Sequence, residues 1–443
     1  MMRSRSRWLL LLAVLGVAVV PLACAGGNPT TPAPTPTPTP APTPTPDLGP
    51  PNIVLILADD MGWGDPAVYG NTRIQTPNLD RLAAEGVRFT DFYVDAPVCA
   101  PSRAALMTGR WPPSTGIPWN PPVRLHDDEV VIAQPLHDRG YATGMVGKWH
   151  LGWNTEDMPT HHGFDYFYGL ASGEDENDFV LGDQPTKDTV APDQFAKRYT
   201  DYALKFIADH IGPSKHNRFF MYIAERDPHL PNTPDPAWAG KSQAGAYGDV
   251  IEAMDDQIGV FMKGLKDLGV DENTLVVFAS DNGPPKGTGF TGPYHGGKGS
   301  CEEGGIRVPA IMRWPARIPP GRVISEPAST LDIFPTFVKV TGATLPDRFY
   351  PGQDISRLIT GEVDHIGGKG VDGGREIVFW QQYGLPGALR SGRYKYLRPG
   401  LWNNQPTLFD LQADPGELDD LTASHPDLAK QLENRLQEIL SGN

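Results

Sequence analysis

The chain has 443 residues, with 53 acidic side chains against 38 basic ones and a formal net charge of −15. Such an acidic balance argues against a nucleic-acid groove, and it would repel an anionic substrate unless cations were gathered locally. Its three cysteines, one of them within the first 25 residues, exclude a disulfide scaffold.

The first elements are processing signals. Arg3, Arg5 and Arg7 precede an apolar run from Trp8 to Val20, which is too short to span a bilayer but suits a signal peptide over 1–25. Ala23-Cys24-Ala25-Gly26 would serve either an A-x-A type cleavage or a lipid anchor at Cys24. Export follows from either, to a periplasmic, secreted or surface-tethered destination. Residues 26–47 form a Pro/Thr-rich linker. Its Pro29–Pro46 tract of nine Pro, seven Thr and two Ala reads as a polyproline II stalk, roughly 55 Å long at about 3.1 Å per residue.

From there the pattern is α/β. Asn52 to Ala58, Thr143 to Gly147, Phe219 to Ala224 and Thr274 to Ser280 are short apolar runs, expected as buried strands of a mostly parallel sheet. Helices fall between them. Thr76 is a cap, with Pro77 first in its helix and Gly86 past the end; Asp193 to His210, Tyr247 to Leu268 and Leu331 to Gly342 are further helical stretches. The alternation predicts a catalytic domain over 48–345 with helices flanking the sheet. Residues 346–443 change character. Glu376 to Gln382, Ala388 to Ser391, Tyr394 to Leu397 and Thr407 to Leu411 predict a smaller antiparallel sheet, and Pro426 to Leu440 a closing helix.

Several of the predicted strands stop at chemically potent residues: Asp59-Asp60, Lys148-Trp149-His150, His229 and Asp281-Asn282. In α/β sheets ligands bind beyond the carboxyl ends of strands, so these clusters imply one convergent site. Asp59, Asp60, Asp281 and Asn282 offer only oxygen, which suits Ca²⁺ or Mg²⁺ better than zinc. Arg103, Lys148, His150, His229 and Lys298 supply a matching cationic half. Glu174 to Asp178 is an acidic loop that could line a sugar pocket.

The densest signal is Cys99 to Arg110, C-A-P-S-R-A-A-L-M-T-G-R. Pro101 suits a first helical position, Ser102 can cap, and Gly109 suits the end. Cys99 is then expected at a helix mouth with a lowered thiol pKa, next to Arg103 one turn on. The plainer alternative is a structural thiol or a disulfide with Cys301.

Taken together these stretches resemble the formylglycine-dependent sulfatases of the alkaline phosphatase superfamily, with arylsulfatase A and N-acetylgalactosamine-6-sulfatase the most similar group. The matching segments are Leu57 to Asp65, the Cys99 motif, Val146 to Gly152, Ser280 to Gly283, Gly297 to Pro309, and Leu408 to Leu411 followed by Asp414 to Glu417. The resemblance implies an alkaline-phosphatase-like fold and a sulfate ester substrate, on a sulfated carbohydrate or an aryl group. It also implies conversion of Cys99 to formylglycine by a separate maturation enzyme, the hydrated aldehyde supplying an oxygen nucleophile. By the same resemblance Asp59, Asp60, Cys99, Asp281 and Asn282 surround the metal. Arg103 and Lys148 orient the diol, Lys298 and His229 bind sulfate and help protonate the leaving oxygen, and His150 is the base that releases product. Two positions depart from the family pattern: the approach Ala224-Glu225-Arg226-Asp227-Pro228 into His229, and His295 before Gly296. Relatives that cleave phosphonate monoesters or phosphodiesters, and an unconverted carbohydrate-binding protein, are the competing expectations.

Overall fold

Asn52–Ala58 is buried along all seven residues, which a strand achieves only when it is paired on both sides and covered on both faces. In the computed structural model, which describes residues 48–120, 124–171, 179–182, 184–185, 190–213, 217–400 and 404–442, it is a central strand. Thr274–Ser280 pairs with it in parallel on one side and Phe219–Ala224 on the other. Ala142–Lys148 and then Tyr166–Leu170 continue the parallel set. The leader over 1–25 with Cys24, the linker over 26–47 and the loop Glu174 to Asp178 lie outside the described residues.

These five strands form the middle of a ten-stranded sheet whose margins are mixed. Ala310–Arg313 runs antiparallel beside Thr274–Ser280, followed outward by Val87–Phe89 and Arg322–Ile324. Phe179–Leu181 and Gln184–Pro185 close the opposite edge, also antiparallel. Helices Pro77–Ala84, Phe195–His210 and Gly245–Leu268 pack one face through Leu79, Phe206 and Met254. Cys99–Thr108, Ala133–Asp138 and Ile333–Thr341 pack the other through Ala104, Leu136 and Phe337. Pro77 does open its helix, but the Thr76 hydroxyl makes no cap and instead accepts the Ala67 N–H at 2.8 Å.

Glu376–Trp380, Pro386–Ser391, Tyr394–Leu397 and Thr407–Asp410 form an antiparallel four-stranded sheet. Alternation along a strand sends successive side chains to opposite faces. Val378 and Trp380 therefore pack with Leu432 and Leu436 of the helix Pro426–Ser441, while Ile377 and Phe379 join the core under the large sheet. Residues 47–443 make a single compact unit. Among the described residues no helix is long and apolar enough to cross a membrane.

Register fixes where the chemistry gathers. Ala58 lies opposite Ser280, and Leu57 and Gly147 both lie opposite Ala224. The residues that follow, Asp59, Asp281, Glu225 and Lys148, therefore leave the sheet along one edge. Gly147 makes this possible: its φ is +100°, and a Cβ there would fall 1.9 Å from the Ala224 carbonyl oxygen.

Candidate active site

The helix Cys99–Thr108 is buried throughout and ends at Gly109 in the left-handed conformation. It begins at Cys99 itself, two residues earlier than the Pro101 start expected from sequence, and Ser102 is not its cap. The cap comes from a distant loop, where Asn120 Oδ1 accepts the Ala100 N–H at 3.0 Å.

Cys99 Sγ lies 3.4 Å from Asp59 Oδ1 and 3.8 Å from Asp60 Oδ1. Ligand atoms of Asp59, Asp60, Cys99 and Asp281 all fall within 4.8 Å of one another. Asn282 completes the set: its Nδ2 donates to Asp60 Oδ1 at 2.6 Å, and its Oδ1 is buried without a hydrogen-bond partner. A buried amide oxygen left unsatisfied is costly, and beside three carboxylates it is what an oxygen-bound hard cation would relieve. The residues fit a divalent cation.

Cations wall the same space. Lys148 Nζ donates to Asp59 Oδ2 at 2.6 Å. Arg103 spans two acids, with Nε 2.8 Å from Asp281 and Nη2 3.5 Å from Asp59, while its Nη1 donates to the Lys148 carbonyl. Lys298 Nζ reaches Asp60 Oδ1 at 2.7 Å, and His229 Nε2 stands 3.7 Å from Asp60 Oδ2. His229 is the most open member, with 24 % of its side chain exposed against 19 % for Lys298. The ten candidates Asp59, Asp60, Cys99, Arg103, Lys148, His150, His229, Asp281, Asn282 and Lys298 thus belong to the same strand-end region. His150 is held by its backbone, whose N–H donates to the Ala171 carbonyl at 3.0 Å, while both its ring nitrogens are buried without a hydrogen-bond partner. Asp60 and His150 hold left-handed backbone, at φ 68° and 62°, a conformation that costs non-glycine residues energy and concentrates at functional sites.

Electrostatics assign protonation. Burial would raise Asp59, but Lys148, Arg103, His229 and Lys298 more than offset it and hold the carboxylate well below its usual range. Burial, then Lys148 and Arg103, push His150 well down, so its imidazole is neutral. Burial likewise lowers His229. Its Nδ1 lies 2.7 Å from the Leu230 carbonyl, which can only accept, so the neutral ring keeps its proton there and Nε2 is free to take one. The expected low pKa of Cys99 is overturned: burial, reinforced by the charge of Asp59, pushes the thiol well up. The helix mouth does not lower it because that space is already occupied by carboxylates. Cys99 and Cys301 are both buried and unbridged, so the disulfide alternative also falls.

Three supporting groups had no role assigned from the sequence. Asp65 accepts Gly62 N–H and Tyr247 O–H, both at 2.6 Å, and fixes the turn after Asp60. Arg226 grips the carbonyls of His229, Leu230 and Pro231, each at 3.1 Å. That clamp accounts for the unusual approach to His229. Buried Lys395 joins Glu303 at 2.9 Å to Glu417 at 2.8 Å, tying the small sheet to the turn that follows Lys298. The matching segments Gly297 to Pro309 and Asp414 to Glu417 touched Glu303 and Glu417 of the last of these, but not Lys395.

The chain is similar to known proteins along most of its length. Residues 51–343 match the sulfatase family model, and residues 298–441 match the model of the C-terminal part of N-sulphoglucosamine sulphohydrolase. Arylsulfatase A of Homo sapiens is 36 % identical over 430 residues, covering 83 % of this chain and 82 % of the human protein. N-acetylgalactosamine-6-O-sulfatase of Bacteroides thetaiotaomicron is 32 % identical, with 88 % and 93 % covered. A solved sulfatase structure described with the metabolism of multiple glycosaminoglycans by Bacteroides thetaiotaomicron superposes with a TM-score of 0.78 at 28 % identity, covering 88 % of this chain and 99 % of its own.

Proposed function

The chain belongs to the sulfatase family and is a sulfuric ester hydrolase; from that premise we propose that it acts outside the cytoplasm on sulfate esters of carbohydrates, with residue 99 as formylglycine and Ca²⁺ bound beside it. The carbohydrate reading draws on the N-acetylgalactosamine-6-O-sulfatase relative, and export draws on the basic, apolar and small-residue leader. A thiol held neutral by burial and by Asp59 is a poor nucleophile. Conversion replaces it with a hydrated aldehyde, whose hydroxyl occupies the same position.

Asp59, Asp60, Asp281 and Asn282 would hold the cation, which supplies positive charge opposite a sulfate oxygen and eases loss of a hydroxyl proton. Arg103 and Lys148 are locked by Asp59 and Asp281, so they orient residue 99 without paying reorganisation at the moment of reaction. Lys298 and His229, both against Asp60, bind the sulfate. His229 Nε2, once it has taken a proton from solvent, gives it to the leaving oxygen, while the Nδ1–H stays hydrogen-bonded to the Leu230 carbonyl. His150, neutral and unsatisfied, accepts the proton whose removal expels sulfate from residue 99.

The observation that carries this reading is the placement of Cys99 Sγ within 3.8 Å of two carboxylates inside a ring of three fixed cations. Intact-mass analysis of protein from a converting host, paired with sulfate release from an aryl sulfate, tests it. Active protein should be about 18 Da lighter at the Cys99 peptide, and Cys99→Ser should abolish turnover while keeping the fold. Activity from a fully unconverted chain would refute it.

A further inference from the structure

Outside the ring of charges stands an aromatic pair that the chemistry above does not use. Trp119 and Tyr383 have ring centroids 4.8 Å apart at a 36° tilt. Tyr383 is 54 % exposed and its backbone is left-handed, at φ 67° and ψ 16°. Asn or Gly is the economical residue for such a turn, and a large aromatic there runs against local preference. Sequences break local rules chiefly where function requires it.

Two anchors place this pair beside the catalytic centre. Asn120, next in sequence to Trp119, caps Ala100, next to Cys99. On the other side, the loop of Tyr383 closes through Gln381 N–H to the Leu385 carbonyl at 2.7 Å, and Gly384 N–H donates to the Pro118 carbonyl at 3.0 Å. The same loop abuts the segment that carries Lys298: a Cβ on Gly387 would lie 2.6 Å from the Cys301 sulfur and 2.5 Å from Gln381 Cγ. The pair therefore sits where the loop after the Cys99 helix meets the small sheet, flanked by the turn at Cys301 that follows Lys298. Both rings are amphipathic, and neither adds a charge.

We propose that Trp119 and Tyr383 form a stacking platform that holds a pyranose ring of the substrate and thereby sets its preference for sulfated saccharides. This rests on the sulfate ester reading and names what lies beyond the ester. A pyranose presents C–H groups on one face and hydroxyls at its rim, so an uncharged ring face binds it without competing with the sulfate for the cations. A compact aryl sulfate, whose single ring ends at the ester oxygen, gains less from a second platform.

The test compares a sulfated trisaccharide with 4-nitrophenyl sulfate. Tyr383→Asn suits the left-handed backbone and removes the ring without strain, and Trp119→Leu removes the other face. Each should raise KM for the trisaccharide about five- to tenfold, with kcat moved less than about twofold. Tyr383→Phe should restore the wild-type KM, and the loss on the aryl sulfate should be several times smaller. Equal losses on both substrates, or an unchanged trisaccharide KM, would overturn the platform. Calorimetry of trisaccharide binding to Cys99→Ser with and without Tyr383→Asn reads the same contact independently of turnover. An absence of sulfate release by the wild type would sink the hydrolase reading, while that calorimetric difference would still decide the platform.

Discussion

Replacing Lys395 by Met should be among the most damaging changes remote from the substrate. Its ammonium is wholly buried and touches Glu303 at 2.9 Å and Glu417 at 2.8 Å, with both carboxylates buried as well. Glu417 also accepts the Glu303 N–H at 2.6 Å. Without the cation two acids face each other; Glu303 keeps cationic partners in Arg307 and, more distantly, Arg390, whereas Glu417 keeps the Glu303 N–H but loses its cation. Breaking a buried pair by removing one member costs about 3–5 kcal/mol. A unit of about 400 residues unfolds with an entropy near 0.8 kcal/mol/K, so Tm should fall by about 4–6 °C at pH 8. Burial already raises Glu417, with Lys395 opposing it. In the variant that carboxyl rises further and takes a proton that the unfolded chain, at its ordinary value, does not hold. The folded state then binds more protons, so stability falls as pH rises, and the deficit should be smaller at pH 5 than at pH 8. Calorimetric melts of Lys395→Met and of Lys395→Met with Glu417→Gln measure both effects. The double variant should recover half or more of the loss, because the uncompensated acid is gone. A Tm within about 1 °C of wild type, or a double variant whose losses simply add, would refute the argument.

Gly147→Ala should cost more than about 3 kcal/mol and abolish activity, because its Cβ meets the Ala224 carbonyl at 1.9 Å beside Lys148; denaturant unfolding and turnover check both. Asp95 is pushed up to about 8 by burial and then by the charge of Asp332, so between its unfolded value and pH 8 the folded state holds the extra proton and stability falls with rising pH. Asp95→Asn should therefore gain on wild type in melts run from pH 5 to pH 8, and a pH-independent difference would count against it. Arg226→Met frees the carbonyls of His229, Leu230 and Pro231. It should lower kcat/KM about tenfold or more by letting His229 wander, with Arg226→Lys recovering part and the melting temperature moving little.

The strands that build the site were legible because full burial leaves a continuous apolar run, as in Asn52–Ala58 and Phe219–Ala224. The short margins were not: Arg322–Ile324 has only one buried residue, and Ala310–Arg313 gives no clue that it runs antiparallel. Asp59, Asp60, Lys148, His150, Asp281 and Asn282 could be read because they lie at or just past strand ends that register aligns, whereas Cys99 and Arg103 on their helix and Lys298 in its loop were legible only through their motifs. Their supports could not, because Asn120, Arg226 and Lys395 act through contacts that no spacing announces. The thiol went wrong for a related reason. A helix mouth lowers a pKa only when it faces open space, and here Asp59 had arrived from a different strand.

Charge balance underlies both the cation cluster and the protonated thiol. Asp59, Asp60 and Asp281 face Arg103, Lys148 and Lys298, so with all three acids ionised the bare cluster is neutral while His150 and His229 stay uncharged. Burial, then the charge of Asp59, pushes Asp281 up to about 7, which tips the cluster positive as that acid takes a proton. A thiolate at position 99 would add a negative charge beside Asp59, which is why the thiol stays protonated. A divalent cation would bring the cluster to +2. A sulfate ester, with one negative charge, then enters a site still positive, and free sulfate, with two, neutralises it. The charges that make Cys99 useless as sulfur are thus those that suit an oxygen nucleophile working on an anion in an otherwise acidic protein.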